Sequence, residues 1–337
     1  MPAVQTLARS KALEMPRSQP HPLALFSLEP VNDRAREVIA HPINQDFVSV
    51  LKNGSLALDI GHIRSKSGPT TLTTLGCGDA DIFVPNGSIS KIQCSFELDL
   101  DNKVVMLYDR SHSQSTQVSG ENATPFEQGR VRKIVVREGL NTRLGMGGER
   151  RNLVQFKFNW HPGAGMDKVN DLVRTSLAYE EDPRFARTID EADTVLPTRR
   201  ETRLHTPGIR RFAVRYVKVD FLGTGQFGEV HKSIDVDSGR LMAVKILKPP
   251  ANAQKQQLEH WDQSVHSALK REVANLANIS HPHIVGYIVS QGWDGPVLEI
   301  FMTLNEDTLE SLIESGARGR VAESAFHQML KRWIVWL

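Results

Sequence analysis

Residues 223–230 read GTGQFGEV, a glycine-rich G-x-G-x-x-G-x-V pattern. Glycine at such positions lets backbone N–H groups approach phosphate oxygens closely, because no side chain stands between them. The pattern fits a dinucleotide-binding turn, in which the last glycine opens a helix, or a hairpin folded over a triphosphate. Here EVHK continues as a strand, and Asp237-Ser238-Gly239 predicts a hairpin turn. We therefore expect the hairpin.

A lysine and a glutamate downstream of the glycines form the second candidate constellation. Strand alternation in MAVKIL places Lys245 on one face with Ala243 and Leu247. A lysine that faces inward needs an anionic partner, because burying an unpaired ammonium is costly. The following helix carries Glu272 on its packed stripe, which comprises Val265, Ala268, Leu269, Val273 and Leu276. The sequence therefore predicts a Lys245–Glu272 pair.

The rest of the chain shows which elements must position these residues. Short β-type runs broken by turn residues extend from Phe47 to Phe158 and predict an antiparallel sandwich or barrel. The predicted organisation is multidomain: a poorly ordered N-terminal arm (1–43), a β-sandwich (44–160), a Thr/Arg-rich linker (161–211) and an α+β domain (212–337). For the linker, a solvated segment is favoured over one that is phosphorylated or that touches nucleic acid, because no aromatic residues are interleaved with its arginines.

Composition excludes several classes of protein. The chain has 337 residues, 41 Lys+Arg against 39 Asp+Glu, and 40% hydrophobic residues, which is typical of a globular protein and not of a charged tail. Two cysteines are too few for a disulfide scaffold or a four-thiolate zinc site, and they favour an intracellular location, in the cytoplasm or nucleus. No apolar run is long enough to span a bilayer. We expect neither a membrane nor a nucleic acid as partner, and no metal ligands in this chain.

Taken together, GTGQFGEV, AVKIL, Glu272 and ISHPHIVGY resemble the N-terminal lobe of a eukaryotic serine/threonine protein kinase. The resemblance implies an antiparallel sheet with one packed helix, and ATP as the ligand. It implies that Lys245 holds the α- and β-phosphates and that Glu272 orients Lys245. The remaining ATP-contacting residues would be Leu222, Gly223, Gly225, Phe227, Gly228, Val230 and Ala243, with Phe301 behind the pocket and the backbones of Met302 and Leu304 at the adenine.

Phosphoryl transfer also needs an aspartate to orient the acceptor, and an asparagine and a second aspartate to hold Mg²⁺. Residues 309–337 contain no H-R-D, D-F-G or A-P-E motif. Their last part, SAFHQMLKRWIVWL, is similar to the kinase helix that precedes the catalytic loop. We therefore expect a kinase-like domain truncated after its N-lobe, with the C-lobe absent, no phosphotransferase activity, and Mg²⁺ bound only in a full-length form. The alternative is a non-catalytic signalling adaptor.

The front half resembles a forkhead-associated (SMAD-like) β-sandwich, a domain that reads phosphothreonine and is often joined to fungal signalling kinases. The resemblance rests on GCGDADIFVPNGSISKIQCSFELD and VVMLYDRSHSQSTQVSG. The implied phosphopeptide-binding residues are Ser90, Lys91 and Thr116, whereas Cys77, Gln93 and Gln114 replace the family's arginine, histidine and asparagine. Losing the arginine removes the strongest contact to a dianion. A degenerate sandwich that docks proteins is thus favoured over a phosphothreonine reader, unless Arg64, Lys66 or Lys91 compensates.

Overall fold

The computed structural model describes residues 16–161, 212–225, 228–248, 266–278, 285–295 and 297–305. Contacts divide the chain into two compact units, one formed by residues 1–192 with 237–239 and the other by residues 193–236 with 240–337. Three predicted features lie outside the described residues: the linker beyond His161, Phe227 in the glycine loop, and the helix near the C-terminus. Among the described helices, none has both the length and the apolar character needed to cross a membrane.

The front unit contains two mainly antiparallel sheets. The six-stranded sheet has the order β2 (Val48–Val50), β3 (Leu56–Ile60), β1 (Phe26–Pro30), β11 (Val154–Trp160), β10 (Arg143–Met146) and β8 (Thr116–Ser119). The five-stranded sheet has the order β5 (Ile82–Phe83), β4 (Thr71–Gly76), β6 (Cys94–Asp99), β7 (Val104–Asp109) and β9 (Lys133–Val136). Helix α1 (Asp33–Ala40) and a 3₁₀ helix (Pro42–Phe47) lie between β1 and β2.

Aromatic side chains join the two sheets of the front unit into one core. The ring of Phe96 in β6 lies 5.2 Å from that of Phe26 in β1 and 5.8 Å from that of Phe158 in β11, both edge to face. Such contacts add to the burial of these large side chains. On β6, Cys94, Phe96 and Leu98 lie on one face and are buried in this core, and the strand ends at Asp99.

The structure differs from the predicted boundary between residues 43 and 44. Residues Phe26–Pro30 form β1, which lies inside the six-stranded sheet between β3 and β11, and Asp33–Ala40 form α1. The assignment of all of residues 1–43 to a poorly ordered arm was therefore wrong for this part. The reason is that β1 pairs with β11 over a separation of some 130 residues (Phe26 with Trp160), and local sequence patterns carry no signal for such long-range pairing.

The second unit contains one antiparallel sheet and one described helix. The sheet has the order β12 (Tyr216–Gly225), β13 (Gly228–Asp235), β14 (Leu241–Leu247), β16 (Leu298–Thr303) and β15 (Tyr287–Gln291). Helix α2 spans His266–Asn278. Strands β12 and β13 pair directly from Tyr216 opposite Asp235 to Gly225 opposite Gly228, so the glycine pattern joins two strands as predicted and opens no helix.

The two faces of the second sheet are covered by different partners. One face carries Leu247, Leu298, Ile300 and Met302, which cluster with Leu269 and Val273 of α2. The other face carries Met242, Val244, Ile246 and Phe301, which pack with Val214 and Tyr216. This division confirms the predicted alternation of β14. The predicted apolar stripe of α2 is confirmed for Leu269, Val273 and Leu276, all of which are buried.

Candidate functional site

The register of the second sheet aligns the glycine hairpin with the candidate lysine. Gly223 of β12 lies opposite Val230 of β13, Val230 lies opposite Lys245 of β14, and Lys245 lies opposite Ile300 of β16. Side chains directly opposite each other in an antiparallel pair point to the same face. Val230, the last residue of the glycine pattern, and Lys245 are therefore neighbours on one face.

Lys245 is buried, with 7% of its surface exposed. Its neighbours on β14, Val244 and Ile246, point to the opposite face, so Lys245 shares a face with Leu247 and with the residues that pack against α2. A lysine in such surroundings is kept charged only by anionic or hydrogen-bonding groups. The inward orientation predicted for Lys245 is therefore confirmed.

The position of Glu272 along α2 is compatible with the predicted pair. Glu272 precedes Val273, and the buried Val273 packs against the sheet face that bears Lys245. The side chain of Glu272 lies outside the described part of the structure. The Lys245–Glu272 pair therefore stays a prediction.

One glycine of the hairpin is required by a close approach of backbone. A Cβ atom on Gly228 would lie 2.0 Å from the carbonyl oxygen of Ile246 on β14. Any other residue at position 228 would therefore displace β13 from β14 beside Lys245. Around Gly223, by contrast, no atom lies within 4 Å of an added Cβ, so that side of the loop is open within the described residues.

The residues predicted to meet the adenine fall into two groups. Ala243 is buried with 8% exposure, whereas Leu222 is 38% exposed. Phe301 packs with Met242, Val244 and Ile246, on the face away from Lys245, so its placement behind the pocket was wrong. Met302, one residue later, lies on the Lys245 face and opposite Ala243.

The backbone contacts predicted for the adenine are separated by the end of a strand. Met302 lies inside β16, paired with Ala243 on one side and Tyr287 on the other. Leu304 follows the end of β16 at Thr303. Backbone N–H and C=O groups beyond the end of a strand are not used in hydrogen bonds between strands. Leu304 is therefore better placed than Met302 for a main-chain contact with a ligand.

Comparison with known proteins agrees with this geometry. Residues 216–334 match the family model of the protein kinase domain. This part of the chain is protein-kinase-like. The matched segment begins at the first residue of β12 and includes the glycine hairpin, Lys245 and α2.

Two of the three curated relatives described below are named as kinases. The chain is 31% identical over 106 residues to cyclin-dependent kinase 7 of Xenopus laevis, covering 32% of this chain and 28% of that protein. It is 29% identical over 119 residues to cell division control protein 2 homolog 3 of Trypanosoma brucei brucei, covering 35% of each. It is 30% identical over 167 residues to mitogen-activated protein kinase kinase kinase ANP1 of Arabidopsis thaliana, covering 48% of this chain and 20% of that protein. The chain thus spans about a third or less of these relatives.

In the front unit, the predicted phosphopeptide residues do not share one surface. Lys91 is exposed and Ser90 is half-buried, but Thr116 is completely buried. The side-chain amide of Gln93, also buried, donates hydrogen bonds to the hydroxyls of Ser115 (3.0 Å) and Thr116 (2.9 Å), and its oxygen accepts from the Ser90 backbone (3.0 Å). Gln93 therefore holds these loops together from within, and the Thr116 hydroxyl is directed inward.

A cleft beside these loops contains a cationic residue that the sequence analysis missed. The Ser113 cleft, as we name it, has a volume of about 490 Å³ and is lined by Ser88, Ser113, Ser115, Gly148, Glu149 and Arg151. Neither Arg64 nor Lys66 lines it. The only sequence signal for Arg151 was the turn Gly147-Gly148 ahead of two arginines, and pattern alone did not connect that turn with residues 88–115. No group of metal-ligating side chains is found among the residues described.

Proposed function

We propose that the second unit binds ATP between the glycine hairpin and Lys245, as the N-terminal part of a serine/threonine-kinase-like nucleotide site. The observation that carries the proposal is the buried Lys245, which lies opposite Val230. Val230 in turn lies opposite Gly223 of the glycine hairpin. The backbone of the hairpin would receive phosphate oxygens, Lys245 would neutralise the α- and β-phosphates, and Ala243 and Val230 would contact the adenine. Glu272 would orient Lys245 from α2.

Covalent labelling with an acyl-phosphate analogue of ATP tests this proposal on the intact chain. A lysine amine at the bound phosphates attacks the acyl carbon, an amide forms, and the nucleotide phosphate leaves. We expect mass spectrometry to find Lys245 labelled at least tenfold more than the exposed Lys248, although an exposed amine is the more accessible of the two. Excess ATP should suppress the labelling of Lys245 alone.

The matched variants are Lys245→Met, which keeps an apolar chain of similar length, and Lys248→Met. The first should abolish ATP-protected labelling and the second should leave it unchanged. Equal labelling of both lysines, or labelling of Lys245 that ATP does not suppress, would contradict nucleotide binding at this site.

We further propose that this chain by itself does not transfer the γ-phosphoryl group. When bound, ATP supplies that group, but the acceptor-orienting aspartate and the Mg²⁺ ligands belong to motifs that residues 309–337 do not contain. Magnesium binding is proposed only for a full-length form that supplies these ligands. Incubation with γ-labelled ATP and a generic protein substrate should give no labelling above the Lys245→Met blank. Reproducible labelling above that blank would overturn this part of the proposal.

A second candidate is a signalling adaptor whose front unit, a degenerate forkhead-associated-like sandwich, docks partner proteins. The Ser113 cleft favours it, because serine hydroxyls, the carboxylate of Glu149 and the guanidinium of Arg151 line one depression that a partner's polar side chain could enter. At the loops of Ser90 and Lys91, we favour docking that does not depend on phosphate. Titration with phosphothreonine peptide libraries distinguishes phosphothreonine binding from docking that does not depend on phosphate. Micromolar binding that is lost in Ser90→Ala and in Lys91→Ala, but kept in Lys52→Ala, would establish a phosphothreonine-binding domain. Binding indifferent to phosphate would leave the scaffold role.

A further inference from the structure

A second cleft lies on the outer face of the six-stranded sheet of the front unit, and neither Ser90 nor Lys91 lines it. The Arg143 cleft, as we name it, has a volume of about 230 Å³ and is lined by Gln117, Ser119, Arg143, Leu144, Gly145, Arg150, Arg151, Asn152 and Gln155. Three of these nine residues are arginines, and none is acidic. The nearest acid in the same hairpin, Glu149, lines the Ser113 cleft instead.

The floor of the Arg143 cleft follows from the register of three strands. Arg143 lies opposite Ser119 of β8, and Gly145 lies opposite both Gln117 of β8 and Gln155 of β11. Leu144 points the other way and is buried in the core. Because Gly145 has no side chain, polar groups of the neighbouring strands surround a depression in the middle of this face.

The wall of the cleft is the hairpin between β10 and β11, which folds back over Gly145. A Cβ atom on Gly145 would lie 2.3 Å from the carbonyl oxygen of Arg151. Arg151 itself has a φ of 55°, in the left-handed region that non-glycine residues rarely adopt, and its N–H donates to the carbonyl of Gly148 at 3.1 Å. The close approach of its carbonyl to Gly145 and its left-handed backbone conformation therefore hold Arg151 against the sheet.

The three arginines differ from other arginines of the front unit in their charge partners. Five others each hold a carboxylate: Arg34, Arg36, Arg110, Arg130 and Arg132. Within residues 16–161, as far as the structure describes the chain, no carboxylate lies within ion-pair distance of Arg143, Arg150 or Arg151. The cleft thus gathers three arginines that have no acidic partner among the described residues of this unit.

The size and chemistry of the cleft identify the class of ligand. Pockets that enclose a whole small molecule usually measure about 300–1,000 Å³, so this one suits a small group that projects from a larger partner. Guanidinium groups bind phosphate oxygens in bidentate geometry, and three of them match a dianion better than a single carboxylate. No aromatic side chain lines the cleft for the stacking of bases, which disfavours nucleic acid.

We propose that the Arg143 cleft binds a phosphate monoester carried by a phosphorylated protein partner. The guanidiniums of Arg143, Arg150 and Arg151 hold the phosphate oxygens, and Ser119 and Gln155 supply neutral hydrogen-bonding groups beside them. This site is separate from the loops of Ser90 and Lys91 and does not depend on them.

The test uses the full chain and fluorescence anisotropy with degenerate peptides that carry a central phosphoserine, together with their unphosphorylated and glutamate counterparts. Phosphopeptide binding should weaken at least tenfold in the double variant Arg143→Gln/Arg150→Gln, which spares the shared Arg151. It should stay unchanged in Arg34→Gln, which removes one exposed arginine from α1. Inorganic phosphate should compete in the millimolar range.

A second variant tests whether misfolding, and not the loss of the guanidinium groups, explains weaker binding in the glutamine variant. Arg143→Lys/Arg150→Lys keeps the charge but loses the bidentate geometry, and we expect it to bind more weakly than the parent and more tightly than the glutamine variant. Equal binding of phosphorylated and unphosphorylated peptides would overturn the proposal. So would loss of binding in Ser90→Ala/Lys91→Ala with retention in Arg143→Gln/Arg150→Gln, an outcome that would assign the phosphate to the loops instead. Binding of nucleic acid alone would also overturn it.

Discussion

At the scale of single residues, buried polar side chains determine how the candidate sites are held. Gln93 stands where the resembled family has a histidine, yet it is buried and connects Ser90 with Ser115 and Thr116. Lys245 is likewise buried, on a strand otherwise apolar on both faces. A buried polar group that loses its partners costs about 1–3 kcal/mol, more if it is charged. Gln93 and Lys245 therefore contribute to the stability of the fold as well as to the candidate sites.

The stability of the front unit depends on pH through one of its histidines, His62. Burial, and then the positive charge of Arg17, lower the pKa of His62 from 6.5 to about 4. In the unfolded chain this histidine takes up a proton near pH 6.5, whereas in the folded chain it does so only near pH 4. The unfolded state thus binds more protons between these values, and the stability of the front unit falls as the pH drops from about 6.5 to 4.

Hydrogen–deuterium exchange of β1 and β3, compared at pH 7 and pH 5 after correction for intrinsic exchange rates, measures this loss of stability. The variant His62→Gln should flatten the dependence, because glutamine does not titrate. His112→Gln, an exposed histidine of the same unit, serves as the control and should keep it. A pH dependence that persists in His62→Gln would assign it to other groups.

At the scale of elements, close backbone approaches at glycine set the shape of both candidate sites. Gly228 brings the hairpin against β14, and Gly145 brings the β10–β11 hairpin against its own sheet. In each case the added Cβ would meet a backbone oxygen, which cannot rotate away as a side chain can. The two hairpins therefore depend on glycine for packing as well as for conformational freedom.

We predict that Gly228→Ala destabilises the second unit by about 1–3 kcal/mol, because overpacking forces β13 away from β14. The same variant should weaken ATP-protected labelling of Lys245. The matched control is Gly295→Ala in the turn between β15 and β16, where the nearest atom to an added Cβ is 3.7 Å away. Thermal unfolding and labelling are measured on both variants. Similar midpoints for the two would contradict the close approach at Gly228.

At the scale of the whole molecule, the chain consists of two units with separate cores. The front unit is held by the Phe26, Phe96 and Phe158 contacts between its sheets. The second unit has one cluster against α2 and another on the opposite face of its sheet. A domain with its own hydrophobic core folds on its own as a rule.

We predict that residues 16–161 fold when expressed alone. Hydrogen–deuterium exchange should show the same protected strands, β1, β6 and β11, as in the full chain, and the Arg143 cleft should keep its affinity for phosphopeptide. Deleting residues 16–30 from this fragment is the control. It removes β1 from the inside of its sheet and should abolish protection of β11 as well. A fragment 16–161 without protected strands would show that its core needs the rest of the chain.

Local sequence patterns determined much of the second unit and the strand-rich character of the front unit. The glycine pattern, the inward Lys245 and the stripe of α2 were readable because each depends on spacing within one or two elements. Tertiary structure alone decided three further points: β1 lies inside a sheet, Phe301 faces away from Lys245, and Arg151 lies between two clefts. Each of these depends on strand register or on contacts between residues far apart in sequence, and no local pattern records such contacts.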